Sequence, residues 1–150
     1  MEENQLDVQL FEAAKRGDLE SCKELVARGA KPVVFEGEYE SSFGSALHVA
    51  AKGGHVDVMR VLIEEAGADV AAEGVEQMLP LCIAAQEGHV EAIRLLLDAG
   101  AGEFDEEVDN PLYFAAYHGH VEACRVLLET GISLFSTMGN YSEPPMSAAI

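Results

Sequence analysis

His118, His120 and Cys124 are the residues of this 150-residue chain whose types and spacing come nearest to a metal site. His120 and Cys124 stand four apart, about one helical turn, so a single helix face presents an imidazole nitrogen and a thiolate sulfur, donors that suit zinc. Two other groupings invite chemistry. Glu103-Phe104-Asp105-Glu106-Glu107-Val108-Asp109 gathers five carboxylates, hard oxygen donors of the kind calcium takes. Cys22, Cys82 and Cys124 are candidate nucleophiles wherever a histidine stands close enough to activate one. Each grouping also has a plainer reading. His55 and His89 follow a glycine just as His120 does, and Met59 and Ile93 hold the place of Cys124, so turn bonding and core packing explain that pair. The acidic run lacks the Asp-x-Asp-x-Asp-Gly spacing of a helix–loop–helix calcium site. The cysteines fall at helical positions whose copies are apolar, where cysteine behaves as a small buried residue. Nor does the chain contain a Gly-x-Ser-x-Gly elbow, a phosphate-cradling glycine loop or His-Glu-x-x-His. The expectation is a non-enzyme with no catalytic residues, no metal ligands and no cofactor.

What positions these residues is a repeat. Ala13-Ala14, Ala50-Ala51, Ala84-Ala85 and Ala115-Ala116 are each followed by two variable residues, a glycine and a short polar residue, at successive spacings of 37, 34 and 31. Behind each turn runs the same stripe: Leu19, Cys22, Leu25, Val26; then Val56, Met59, Leu62, Ile63; Val90, Ile93, Leu96, Leu97; and Val121, Cys124, Leu127, Leu128. Offsets of i, i+3, i+6 and i+7 put four apolar side chains on one face of a helix. Gly29, Gly67, Gly100 and Gly131 mark its stop. A shorter helix precedes each turn, about 45–52 in the second unit, with Pro80 and Pro111 in the first turn, where a missing N–H costs nothing. Such a helix pair cannot cover its own apolar face and must stack on the next, so the chain reads as an all-α solenoid.

Ser45-Ala46-Leu47-His48-Val49-Ala50-Ala51, Gly67-Ala68-Asp69-Val70 and Gly100-Ala101 make the chain resemble the ankyrin repeat family. Leu79-Pro80-Leu81-Cys82 and Asn110-Pro111-Leu112-Tyr113 are degenerate versions of its opening. The units read as 6–30 (a cap), 45–70, 79–101, 110–132 and a partial fifth over 144–150, one ankyrin repeat domain spanning 1–150. The resemblance implies that the connections between units form short β-hairpin fingers, and that fingers and first helices together line a concave surface that binds other proteins.

Charge falls unevenly on that plan. The chain carries 27 Asp and Glu against nine Lys and Arg, a net −18. The fingers, taken as 31–44, 68–78, 101–109 and 132–143, hold −11 of it in 46 residues, about threefold denser than the rest. That sign repels nucleic acid and anionic membrane and favours a basic protein or peptide. Three scattered cysteines fit a reducing, intracellular setting, cytoplasm or nucleus. No basic-then-apolar leader opens the sequence, and no apolar run approaches the roughly 20 residues of a membrane span.

The partner-binding residues expected from this plan fall into two groups. Positions that vary within the family implicate Glu76, Met78, Glu106, Glu107, Asp109, Tyr117 and His118. Exposure and chemistry add Glu36, Glu38, Tyr39, Phe43 and Phe104, where aromatic and acidic groups together suit an Arg- or Lys-rich segment. The nearly uncharged stretch from Phe135 to Tyr141 either packs under the fifth unit or supplies an apolar end to the groove. The fifth unit stops inside its first helix, which points to a fragment of a longer array or to an end-face dimer of an otherwise monomeric chain. An architectural spacer and a substrate-recruiting part of a larger protein stand beside the interaction module as alternative functions.

Overall fold

In the computed structural model the described residues are 2–33, 44–74, 78–101 and 110–131. Among them are eight α-helices: α1 (Glu2–Arg16), α2 (Leu19–Ala27), α3 (Ala46–Gly53), α4 (Val56–Glu64), α5 (Pro80–Glu87), α6 (Val90–Asp98), α7 (Pro111–Tyr117) and α8 (Val121–Glu129). Seven of the eight run only seven to nine residues. Helices that short are marginal alone, so packing must hold them. Odd-numbered helices pack on one another in order (α1 on α3, α3 on α5, α5 on α7), and so do the even-numbered ones. Within each pair the two helices also touch. The result is the stacked solenoid that the alternating pattern predicts, and none of its described helices is long and apolar enough to cross a membrane.

The alanine pairs are what allow the first helices to close up. Ala14, Ala50, Ala51, Ala84, Ala85 and Ala115 are fully enclosed. In the second helices the i+3 and i+6 members of the stripe go deepest: Cys22, Met59, Leu62, Ile93, Leu96 and Leu127 are all shut off from solvent. The outer members, Leu19, Val26, Val56, Ile63, Val90 and Leu97, are half-buried against the core. Val58, Ala92 and Ala123, one position before the i+3 member, are buried as well, a second contact line that the four-residue stripe leaves out.

Turn chemistry follows the sequence closely. Gly54 and Gly88 cap α3 and α5 in the left-handed conformation at φ 69° and 73°, and Pro80 and Pro111 open their helices. Asp18 caps α2, its carboxylate accepting from the Ser21 N–H at 3.2 Å and the Ser21 hydroxyl at 2.7 Å, bonds that hold its pKa below the usual value. Asn110 caps α7 by accepting from the Leu112 N–H at 2.9 Å.

Three expectations change. Helix α1 begins at Glu2, ahead of the Leu6 start read for the first unit, and carries Leu6 and Leu10 on its apolar face. The glycines 29, 67, 100 and 131 lie one or two residues beyond the helix caps Arg28, Glu65, Ala99 and Thr130, not at the stop itself. Of the fingers, residues 31–33, 44, 68–74, 78 and 101 are described, and none of these is in a strand. Asp69 folds the second one back by accepting from the Ala71 N–H at 2.9 Å, and the Gly74 N–H donates to the Met78 carbonyl at 2.9 Å. The remaining finger residues, Phe135 to Tyr141 and the partial unit 144–150 lie outside the described residues.

Candidate interaction surface

Two sets of histidine bonds fix how one unit sits on the next. His48, wholly buried, is the central one. Its Nδ1 accepts from the Ser45 N–H at 3.0 Å and lies 2.8 Å from the Ser45 hydroxyl; its Nε2–H faces the carbonyls of Ala72 at 2.9 Å and Met78 at 3.1 Å. Because the Ser45 N–H can only donate, Nδ1 is the bare nitrogen and the proton sits on Nε2. One ring thus ties the start of α3 to both sides of the following finger. Burial pushes its pKa down, against the two carbonyl bonds that push it up.

The second set runs through the turns. The His89 Nε2–H donates to the Lys52 carbonyl and the His120 Nε2–H to the Gln86 carbonyl, each at 2.9 Å. The rings lie over the glycines of the preceding turns: a Cβ placed on Gly54 would stand 2.7 Å from the His89 Nδ1, and one on Gly88 would stand 2.5 Å from the His120 Nδ1. The end of each first helix is thereby held in register with the end of the next. His120 is accounted for by this bond. Cys124 is half-buried in the slot of Met59 and Ile93, and burial raises its thiol pKa. Among the described residues no group of three His, Cys, Asp or Glu is placed to hold a metal ion.

Tyr117 and His118 end α7 on the open side of this row, Tyr117 at 75% exposure. The His118 Nδ1–H donates to the Phe114 carbonyl at 3.0 Å, which turns the ring parallel to His120 at 6.3 Å. Tyr113, 47% exposed, stacks on Tyr117 at 6.0 Å and meets Phe114 edge-on at 5.9 Å. The tyrosine pair with His118 is an exposed aromatic patch on a helix with no charged residue. Tyr117 and His118 are among the residues expected to make contacts and Tyr113 is not, its counterparts Phe11, His48 and Cys82 being buried. Met78, another expected contact, is half-buried, with its carbonyl engaged by His48 and Gly74. Glu36, Glu38, Tyr39, Phe43, Glu76, Phe104, Glu106, Glu107 and Asp109 lie outside the described residues.

Beyond α8 the surface turns apolar. Val121 and Leu128 are 68% and 57% exposed and border a shallow groove with Cys124, Arg125 and Glu129. Leu112 and Leu127, by contrast, are fully enclosed.

The family model described as ankyrin repeats (3 copies) matches residues 10–103 and again 72–138. No curated protein matches the sequence significantly. Ankyrin repeats generally act as protein–protein interaction modules, and the family is typically non-enzymatic.

Proposed function

Since the chain belongs to the ankyrin repeat family, we propose that it captures a protein partner stoichiometrically, through a basic segment received by its acidic fingers. The observation that carries this reading is the concentration of −11 in 46 finger residues, of which the run 103–109 alone holds five carboxylates. Carboxylates that converge on one side of a rigid stack raise the local potential there and steer a cationic partner. The stack supplies the other half of the mechanism. Its units are tied to one another by the His48, His89 and His120 bonds, so the described stack itself adds little ordering cost to association. Tyr117, His118 and Met78 are the described members of the contact set; Glu36, Glu38, Tyr39, Phe43, Glu76, Phe104, Glu106, Glu107 and Asp109 complete it. The whole chain is read as one repeat domain acting in an intracellular setting.

The test is charge reversal. Lysine at Glu103, Asp105, Glu106 and Glu107 removes four attractive charges and installs four repulsive ones. At about 0.2–1 kcal/mol for each exposed pair lost, binding of an Arg-rich peptide at low salt should weaken by about tenfold or more. Binding should also weaken steeply between low and high salt in the native chain, whereas a pure spacer has no such dependence. Equal affinity of the native and reversed chains, with the circular dichroism spectrum unchanged, removes the acidic surface from the account.

A further inference from the structure

Helix α5 ends on Glu87, whose carboxylate stands at the negative end of the helix dipole, the place that capping preference gives to a cation. It is exposed, and it takes no part in the ion pair present among the described residues, Arg125–Glu122 at 3.1 Å. Its neighbour in the chain, Gln86, accepts from the His120 Nε2–H at 2.9 Å. From there a run of rings leads onto α7. His120 lies parallel to His118 at 6.3 Å, His118 meets Tyr117 edge-on at 5.3 Å, and Tyr117 stacks on Tyr113 at 6.0 Å. Because α5 and α7 pack on each other, the end of α5 and the exposed rings of α7 make one continuous surface of described residues.

Each member offers something different. His118 gives its Nδ1 proton to the Phe114 carbonyl at 3.0 Å, so in the neutral ring Nε2 is a bare acceptor. Tyr117 has Tyr113 on one side of its ring and, at 75% exposure, most of the rest open. Glu87 supplies a negative charge. No Lys or Arg stands on α5, on α7 or in the turns that follow them. Glu91 and Glu122, in the first turns of α6 and α8, keep the sign negative beyond those turns. Along the row of first helices the next cation is Lys52, which lies on α3, on the far side of α5 from Tyr117, and has an interaction of its own.

We propose that Tyr117, His118 and Glu87 form a socket for one arginine side chain of the protein partner. The guanidinium lies flat on the open side of Tyr117, and its in-plane N–H groups donate to the Glu87 carboxylate and the His118 Nε2. Glu87 and His118 each stand one residue before the turn glycine of their unit, on helices that stack at about 8–10 Å between axes. A carboxylate side chain on one side and a guanidinium plane between them fill that gap. A lysine ammonium can meet Glu87 too, but it has no plane to lay on the tyrosine and no rigid fork to reach both acceptors, so the socket selects arginine. This deepens the partner-binding reading above and rests on it for the partner's being a basic segment; it uses none of the finger carboxylates.

The test compares two fluorescent peptides, Arg-Gly-Ser-Arg-Gly-Ser-Arg and Lys-Gly-Ser-Lys-Gly-Ser-Lys, by anisotropy at low salt. The native chain should bind the arginine peptide about two- to fivefold more tightly, the worth of an exposed cation–π contact. Y117A should erase that preference, and Y117F, which keeps the ring, should preserve it. E87Q should weaken the arginine peptide about two- to fivefold, whereas E64Q, an exposed acid in the row of second helices, should leave it bound as before. Equal affinity for the two peptides, a preference that survives both Y117A and E87Q, or the same loss from E87Q and E64Q overturns this proposal alone. In the chain reversed at Glu103, Asp105, Glu106 and Glu107 the arginine preference should persist; whether overall affinity falls there decides the acidic-finger reading separately. Failure of both peptides to bind at low salt overturns the basic-partner reading and this one with it.

Discussion

Replacing His48 by phenylalanine tests how much of the stack depends on one imidazole. The volume change is small and the slot accepts an aromatic ring, since Phe11 occupies the same place in α1 at 5% exposure. What is lost is polar: the Ser45 N–H loses its acceptor and the carbonyls of Ala72 and Met78 lose their donor. A buried group stripped of its partner costs about 1–3 kcal/mol. With the finger carbonyls partly able to turn to water, the sum falls near 2–4 kcal/mol, about 5–15 °C in melting temperature for a chain of this length. Because repeat arrays unfold in segments, the cleaner readout is hydrogen exchange by residue. The Gly74 amide, whose bond to Met78 closes the finger, should lose protection most, with Ser45 next. The pH dependence supplies a second and independent measure. His48 is neutral in the folded chain, with a pKa depressed below 6.5 by burial, so the unfolded chain takes up its proton first as pH falls. Its stability contribution is complete above the unfolded value of 6.5 and is lost as pH drops from there toward the lower folded value. A proton on Nδ1 would also face the Ser45 N–H, donor against donor. The difference in stability between native and H48F chains should therefore shrink from pH 7.5 to pH 5, measured by urea unfolding. A difference independent of pH, or a Gly74 amide equally protected in both chains, refutes the assignment of the ring as the neutral clasp between α3 and the finger.

Two further substitutions and one labelling experiment examine the turns and the thiols. G88A forces a side chain onto a residue at φ 73° and drives its Cβ to 2.5 Å from the His120 Nδ1, so it should cost more than the roughly 1–2 kcal/mol of the left-handed conformation alone and break the His120–Gln86 bond. G100A, at φ 96° with nothing within 4 Å of the new Cβ, should cost only the conformational part; equal losses in urea unfolding would deny the stacking of His120 on the turn. At pH 8 an alkylating reagent should modify half-buried Cys124 well before Cys22, which is fully enclosed and whose thiol pKa burial lifts to about 11; the reverse order, read by peptide mass, would contradict the packing of α2.

The fold was legible because a repeat states its packing four times. An alanine pair, a glycine turn and an apolar i, i+3, i+6 pattern are local signals with one physical solution, and substitutions such as Cys124 for Ile93 leave the slot recognisable. His120 shows what the repeat makes legible: its position after a glycine goes with a bond to Gln86 in the preceding unit, a role visible only by lining up His55, His89 and His120. The candidate site was less legible for the opposite reason. Ten of the twelve expected contacts sit in fingers of irregular length, where nothing repeats, and all of those but Met78 lie outside the described residues.

Tyr113 makes the limit of repeat reasoning concrete. Alignment assigns it the slot of Phe11, His48 and Cys82, and all three are buried. A slot's residue type follows from sequence, but its exposure depends on what stands beside it in the stack. In the fourth pair Tyr113 stands open, as do Val121 and Leu128. Exposed in this way, Tyr113 stacks on Tyr117 at 6.0 Å, a two-ring platform in the fourth unit where the earlier units present Lys52 and Gln86. An aromatic ring that packs and one that stands open differ by their neighbours, so no composition or periodicity argument separates them.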